Sequence, residues 1–256
     1  MSAEHRTLLD LACSAAHEAG AAILEIYRQD FAVRHKADDS PVTRADERAE
    51  AIISQRLATA ARDIPVIAEE GCAVHGLPAV APPRFWLVDP LDGTKEFIRR
   101  NGEFTVNIAL VEGDSAVLGV VHAPSQGVTY AAAGRAMRWR DSDAWQAITV
   151  RPVPSLGAIV VHSRSHAAEH RLADYIATLP GAERRISGSA LKFCMVAAGE
   201  ADIYPRFGLT AEWDTAAGQA ILEAAGGTVT TLDGAPLRYG KPGFCNPDFI
   251  ARGRAR

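Results

Sequence analysis

The sequence predicts an α/β protein whose N-terminal half, residues 1–150, is α+β and whose C-terminal half, residues 151–256, is α/β. Three observations predict it. In the first half, short apolar runs at 104–111, 117–121, 128–133 and 145–150 are separated by Gly, Asp and Ser turns, the pattern of an antiparallel meander. In the second half, strand-like and helix-like segments alternate, which points to βαβ units and a mainly parallel sheet. Between them, Arg151-Pro152-Val153-Pro154-Ser155 marks a hinge.

Taken in order, Leu8, Leu11, Ala15, Ala19, Ile23 and Ile26 recur at spacings of three and four, the stripe of an amphipathic helix. Residues 31–36 read as a strand and 37–41 as a polar loop. Val42-Thr43-Arg44-Ala45-Asp46 opens a second helix with Ala45, Ala49, Ile52, Ile53 and Leu57 on its apolar face. On spacing alone, Asp46 is a surface acid favoured by the helix dipole. A strand at 64–68 ends in Glu69-Glu70, and 72–83, rich in Gly, Pro and Ala, reads as a surface loop. Phe85-Trp86-Leu87-Val88 is a buried strand stopped by Asp89-Pro90; Asp92-Gly93 makes a second turn, and Thr94 caps a helix through Ile98. Beyond the hinge, strands are expected at 158–162, 184–186, 201–204 and 227–231, and helices at 167–179, 189–198 and 213–225.

The composition, 48% hydrophobic and 23% charged with a net charge of −4, carries no nucleic-acid or anionic-membrane footprint, and the basic tail Arg252, Arg254, Arg256 reads as a solvated terminus. Cys13, Cys72, Cys194 and Cys245 are scattered without a CxxC pair, which argues for a reducing compartment. No run approaches the roughly 18 apolar residues of a membrane span. The expectation is a cytoplasmic protein with no integral membrane segment, acting on a small molecule as a monomer or homodimer.

The chemistry gathers at strand ends. Pro90 cannot donate a backbone hydrogen bond and Gly93 permits positive φ, so the turn can aim Asp89, Asp92 and the Leu91 carbonyl into one space; such oxygens suit Mg²⁺ or Ca²⁺. Gly188-Ser189 opens a helix containing Lys192, where backbone N–H groups and an ammonium can face an anion. Asp214 reads as a helix cap unless it faces Asp89 and Asp92. His166-Ala-Ala-Glu169-His170 has the spacing of an inverted zincin helix. A zinc peptidase would need a third ligand and a groove, and His166 can equally cap the helix or meet an anion, leaving His170 on the surface.

Asp89-Pro-Leu-Asp92-Gly-Thr94 and Trp213-Asp214-Thr-Ala-Ala, with Glu69-Glu70 and Val42-Thr-Arg-Ala-Asp46 upstream, resemble the signature motifs of the inositol monophosphatase-like, metal-dependent, lithium-sensitive phosphatases. The resemblance spans residues 8–250 in the right order. Lys95-Glu96-Phe97, Asn101-Gly-Glu-Phe-Thr-Val-Asn and Gly188-Ser-Ala-Leu-Lys192-Phe-Cys look like that superfamily's bacterial 3′(2′),5′-bisphosphate nucleotidase branch. The resemblance implies a layered αβαβα sandwich with its site between the halves. It implies two or three Mg²⁺ ions on Glu69, Asp89, Asp92, Asp214 and the Leu91 carbonyl, activating a water for in-line attack. Thr94, oriented by Asp46 and close to Glu69, would handle that water; Gly93, Thr94, His166, Gly188, Ser189, Lys192 and Asp214 would contact substrate. The implied reaction removes the 3′-phosphate of adenosine 3′,5′-bisphosphate, and of its 5′-phosphosulfate relative, to clear a by-product of sulfur metabolism. An inositol monophosphatase or histidinol-phosphatase is the alternative within the superfamily, and a non-catalytic phosphate sensor the alternative outside enzymes. The resemblance also implies the option of peripheral attachment to the inner membrane face, for which these residues offer no segment.

Overall fold

Residues 2–36, 40–140, 144–164 and 169–255 are described by a computed structural model. Helix α1 (Ala3–Tyr27) starts at Ser2, whose hydroxyl oxygen accepts from the His5 N–H at 3.0 Å. Its inner face is largely alanine, Ala12, Ala15, Ala16 and Ala19, which lets the next helix approach closely. Strands β1 (Val33–His35) and β2 (Pro41–Thr43) pair antiparallel and lead into α2 (Arg44–Ala60). That helix starts in a capping box: the Thr43 hydroxyl oxygen accepts from Ala45 N–H (3.1 Å), and the Asp46 carboxylate accepts from Thr43 N–H (2.8 Å).

Strand β3 (Val66–Ala68) runs directly into α3 (Glu69–His75). Residues 72–75, expected as loop, are therefore helical. Nothing local caps this helix; Glu50 reaches over from α2 to accept from Glu70 N–H (2.7 Å) and Gly71 N–H (2.6 Å). Strand β4 (Arg84–Asp92) and the single turn α4 (Thr94–Ile98) are joined by Gly93 at φ +90°. Strands β5 (Thr105–Glu112), β6 (Ser115–Ala123), β7 (Val128–Ala132), β8 (Ala136–Arg140) and β9 (Gln146–Ala147) follow. Among the described residues, β3 to β9 form one sheet in chain order; β3 and β4 pair in parallel and the rest is the expected meander. The strand expected at 145–150 shrinks to β9, since by Val150 the backbone N–H already bonds the Ala225 carbonyl in the second half (3.0 Å).

The second half runs β10 (Ile159–His162), α5 (Glu169–Ala177), β11 (Glu183–Ile186), α6 (Leu191–Ala197), β12 (Ile203–Arg206) and β13 (Thr210–Ala211). A 3₁₀ turn, Glu212–Asp214, then precedes α7 (Ala216–Ala224), β14 (Thr228–Thr231), β15 (Cys245–Asn246) and β16 (Phe249–Arg252). The helix expected from 213 is thus a turn and a helix broken at Thr215, and the one expected from 189 starts at Leu191 because Ser189 is left-handed, φ +45°. The sheet order is β11-β10-β12-β16-β14. Its first three strands are parallel, as expected, but β16 is antiparallel to β12 and β14, so the sheet is mixed.

Alternation along β4 sorts the layers. Trp86 and Val88 face α1 and α2, whereas Phe85 and Leu87 face α6, α7 and the inner side of the second sheet. The outer side of that sheet, Val160, Ile203 and Ile250, is covered by Tyr175 and Ile176 of α5. The order α1/α2, sheet, α6/α7, sheet, α5 is the expected αβαβα sandwich. The central contact is close: a Cβ on Gly119 of β6 would lie 2.3 Å from the Ala217 carbonyl oxygen of α7. No helix among the described residues is long and apolar enough to cross a membrane.

Candidate active site

The β4–β5 register slips between Asp89 and Asp92, where Pro90 lacks the N–H that pairing would use. Asp89 pairs with Asn107 before the slip and Asp92 with Thr105 after it, and both line one cavity. Asp89 is buried and its Oδ1 accepts from Leu91 N–H (3.0 Å). Asp92 Oδ2 accepts from Asn107 Nδ2 (3.2 Å) and, across the seam between halves, from Ala190 N–H (2.6 Å). Asp214 arrives from the other half on its 3₁₀ turn, fixed by Ala211 N–H (2.9 Å). Glu69 stands at the start of α3, where the Lys36 ammonium lies 2.6 Å from its carboxylate and 2.7 Å from that of Glu70.

These acids repel one another in a poorly solvated place. Burial first, then Glu69, Asp92, Asp214 and Asp46, push the Asp89 carboxyl well above the usual range. Burial, with Asp92 and Glu69 next, pushes Asp214 up to about 8. Asp92 is also raised by burial, against the pull of Lys192. Among the described residues no three His, Cys, Asp or Glu groups meet as a ready-made metal cage. The donor set still fits hard divalent cations: it is all oxygen, and the charge it lacks is positive. Lys36 already serves Glu69 and Glu70 in that sense.

Thr94 is where the expected water handler should be. Its hydroxyl lies 3.0 Å from Asp46 Oδ1 and 3.3 Å from the Leu91 carbonyl oxygen. Asp46 is therefore no surface acid: it is buried, and its other oxygen accepts from the Thr43 hydroxyl (2.7 Å). Burial raises its carboxyl despite these hydrogen bonds.

Two adjoining cavities collect the rest. One, about 500 Å³, is lined by Glu69, Asp89, Leu91, Asp92, Thr94 and Asp214. The other, about 220 Å³, shares Asp92, Gly93 and Asp214 with it and adds Gly188, Ser189 and Lys192. Lys192 is buried rather than held out to solvent; its ammonium donates to the Ser189 carbonyl (2.5 Å), lies over the Tyr204 ring, and is pushed down to about 8, chiefly by burial. The second cavity opens at the carboxyl ends of β10 and β12, the place where a parallel sheet whose order switches sides leaves a crevice. His166 lies outside the described residues. Of the zincin pattern, His170 is exposed and Glu169 pairs with Arg184 (2.9 Å).

Arg206 is the site residue that the sequence reading lacks. It ends β12, lines both cavities, and holds Ser163 Oγ (3.4 Å) and the Leu209 carbonyl (3.2 Å) through its terminal nitrogens. Its Nε, like the Ser189 hydroxyl, is buried without a hydrogen-bond partner among the described residues. Lys36, Glu50 and Asn107 are further residues that the sequence reading lacks: Lys36 and Asn107 each meet a carboxylate far away in sequence, and Glu50 holds the backbone N–H groups that open α3.

A family model described as inositol monophosphatase family matches residues 4–252. The 3′(2′),5′-bisphosphate nucleotidase CysQ of Shigella flexneri is 46% identical, over 94% of this chain and 98% of its own length. CysQ from Bacteroides thetaiotaomicron has a solved structure that matches with a TM-score of 0.81 at 38% identity, covering 98% of each chain. Inositol monophosphatase from Anabaena (Nostoc) matches with a TM-score of 0.76 at 26% identity, over 96% of this chain and 90% of that one. Fold, motif order and these likenesses agree: the chain belongs to the inositol monophosphatase family, whose members are metal-dependent.

Proposed function

We propose that this chain is a Mg²⁺-dependent 3′(2′),5′-bisphosphate nucleotidase that removes the 3′-phosphate of adenosine 3′,5′-bisphosphate to leave AMP, and takes the same step on the 5′-phosphosulfate relative. The reading rests on the likeness to CysQ proteins and on one observation above all, two adjoining cavities that meet at Asp92 and Asp214. One carries Glu69, Asp89, Asp92 and Asp214, an acid-rich wall that takes a phosphate together with divalent cations. The other adds the buried Lys192, and Lys95 and Arg206 line both, so that the chain's own cations can answer a phosphate there. A substrate with two phosphates can place one beside the acid-rich wall and the other beside Lys192, whereas an inositol monophosphate leaves the Lys192 chamber without an anion.

Glu69, Asp89, Asp92, Asp214 and the Leu91 carbonyl would hold two or three Mg²⁺ ions. When bound, these supply Lewis acidity and charge neutralisation for the transfer. The chain's own residues do the rest. Asp46 Oδ1 takes the Thr94 hydroxyl proton in a hydrogen bond, which turns the oxygen's lone pairs towards the cavity, where they can accept from an incoming water. Glu69 offers a second acceptor on the same wall, and Asp46, anchored by the α2 cap, cannot swing away. Arg206, Lys192 and the Ser189 hydroxyl would orient the nucleotide, so that one phosphate and not the other is presented. His166 is a further substrate contact in this reading.

The test is phosphate release from adenosine 3′,5′-bisphosphate, inositol 1-phosphate and histidinol phosphate in parallel, with Mg²⁺ and then with EDTA. The nucleotide should be the best substrate, with turnover abolished by EDTA and inhibited by Li⁺. Arg206→Met should raise KM for the nucleotide by about tenfold or more, the worth of a charged hydrogen bond, and leave inositol 1-phosphate hydrolysis little changed. Preference for inositol 1-phosphate, or turnover in EDTA, would sink the assignment.

A further inference from the structure

The turn that carries Asp214 is fastened to a distant loop by an ion pair whose carboxylate is buried. Glu212, two residues before Asp214, has no exposed side-chain surface. Its Oε2 accepts from Gly240 N–H (2.6 Å), and its Oε1 accepts from Lys241 N–H (3.0 Å) and the Lys241 ammonium (2.5 Å). The same ammonium donates to the Arg238 carbonyl and to Asn246 Oδ1 (3.1 Å). Asn246 Nδ2 closes the circle on the Ala211 carbonyl (2.8 Å) and Thr215 Oγ1 (3.0 Å). Residues on both sides of Asp214 are thus gripped by one loop, 237–246.

That loop is also bound to the first half of the chain. Tyr239 N–H donates to the Asp114 carbonyl (3.0 Å), Arg238 pairs with the Asp114 side chain (3.2 Å), and the Phe244 ring meets Phe85 edge-on at 6.1 Å. Phe85 stands near the start of β4, the strand that ends on Asp89 and Asp92. The loop is therefore a strap across the seam. It ties the strand bearing two of the carboxylates to the turn bearing the third. A wholly buried carboxylate is costly to keep and weak as a source of stability, whereas it fixes geometry well when every lone pair is engaged.

We propose that Glu212 and Lys241 are positioning residues: through the 237–246 strap they set how far Asp214 stands from Asp89 and Asp92, and so the affinity of the site for divalent cations. This rests on the reading of those carboxylates as metal ligands.

The test uses the full chain and three readouts: Mn²⁺ binding followed by electron paramagnetic resonance without substrate, the Mg²⁺ dependence of turnover, and thermal unfolding in EDTA. The pair variant Glu212→Gln/Lys241→Met removes both charges at nearly constant volume. It should melt within a few degrees of the parent, bind Mn²⁺ about tenfold more weakly, and recover its kcat at saturating Mg²⁺. Asn246→Ala, which cuts the strap without uncovering a charge, should shift Mn²⁺ affinity the same way and serves if the pair variant does not fold. Arg151→Met, which breaks the bidentate pair with buried Asp202 elsewhere, should lower the melting temperature without touching Mn²⁺ affinity. Unchanged Mn²⁺ affinity in both strap variants overturns the proposal. Asp214→Asn separates the two readings: normal Mn²⁺ binding there refutes the ligand assignment, and lost binding there with intact strap variants refutes the strap alone.

Discussion

Asp46 does two jobs with two oxygens. One closes the capping box of α2 and the other fixes the Thr94 hydroxyl. The jobs separate by substitution. Thr94→Ala should lower kcat by about 10²–10⁴-fold, as loss of a proton-handling group does, with the melting temperature unmoved. Asp46→Ala should lose a similar factor and, in addition, about 0.5–2 kcal/mol of stability with the cap. Steady-state kinetics and denaturant unfolding of the two variants decide it, and equal melting temperatures would refute the double role. At this scale the motif residues were legible in the sequence: Asp89, Asp92, Thr94 and Asp214 gather at the edges of one cavity, although Thr94, expected to cap α4, makes no capping bond; Gly93 is the N-cap residue and the Thr94 hydroxyl turns to Asp46. Arg206 was not, because Tyr204-Pro205-Arg206 reads only as a strand end and its importance comes from what lies across the crevice. Asp46 shows the same limit, since spacing alone leaves it on the surface.

At the scale of elements, the packing of α1 on the first sheet turns on two histidines. The Thr129 hydroxyl of β7 sits between them, 3.0 Å from His122 Nδ1 and 2.8 Å from His17 Nε2, so it can donate to one and accept from the other. The rings meet edge-on at 4.8 Å. Burial first, then His17, pushes the His122 imidazole down to about 3. Since this lies below the ordinary 6.5, the unfolded chain takes up the proton first, and stability falls as pH drops from 6.5 towards 3. The slope is at most about 1.4 kcal/mol per pH unit for this group. Calorimetry should find that between pH 6.5 and 3 the melting temperature of the parent loses more with each step down in pH than that of His122→Asn, measured in the same buffer; identical slopes would clear His122 of the effect. Elements with their own periodicity, such as α1, α2 and the meander, could be read from the sequence. Those that failed depend on partners far away: α3 borrows its cap from Glu50, and β16 takes its direction from β12 and β14.

Over the whole molecule, one core joins Phe85 and Val111 of the first half to Phe193, Ile221 and Tyr239 of the second, and the candidate metal ligands come from both. Metal binding and folding should therefore be linked. Asp214, raised to about 8, holds a proton in the folded state that the unfolded chain has already released, so without metal its contribution to stability is full below about 3.8 and is lost as pH rises towards 8. In EDTA the melting temperature should decline from pH 5 to pH 8, less steeply in Asp214→Asn. Mg²⁺ should reverse the decline, stabilising most at pH 8, where the carboxylates are bare. Equal Mg²⁺ stabilisation at pH 5 and pH 8 would contradict this linkage. The sequence shows which residues supply the charges but not the width of the gap between them. That width depends partly on a position that touches neither ion nor nucleotide: with only hydrogen at Gly119, α7 rests its backbone on the sheet, and a single added methyl group would prise the two layers apart. The reach between the carboxylates of one half and that of the other is thus gauged by an atom the protein leaves out.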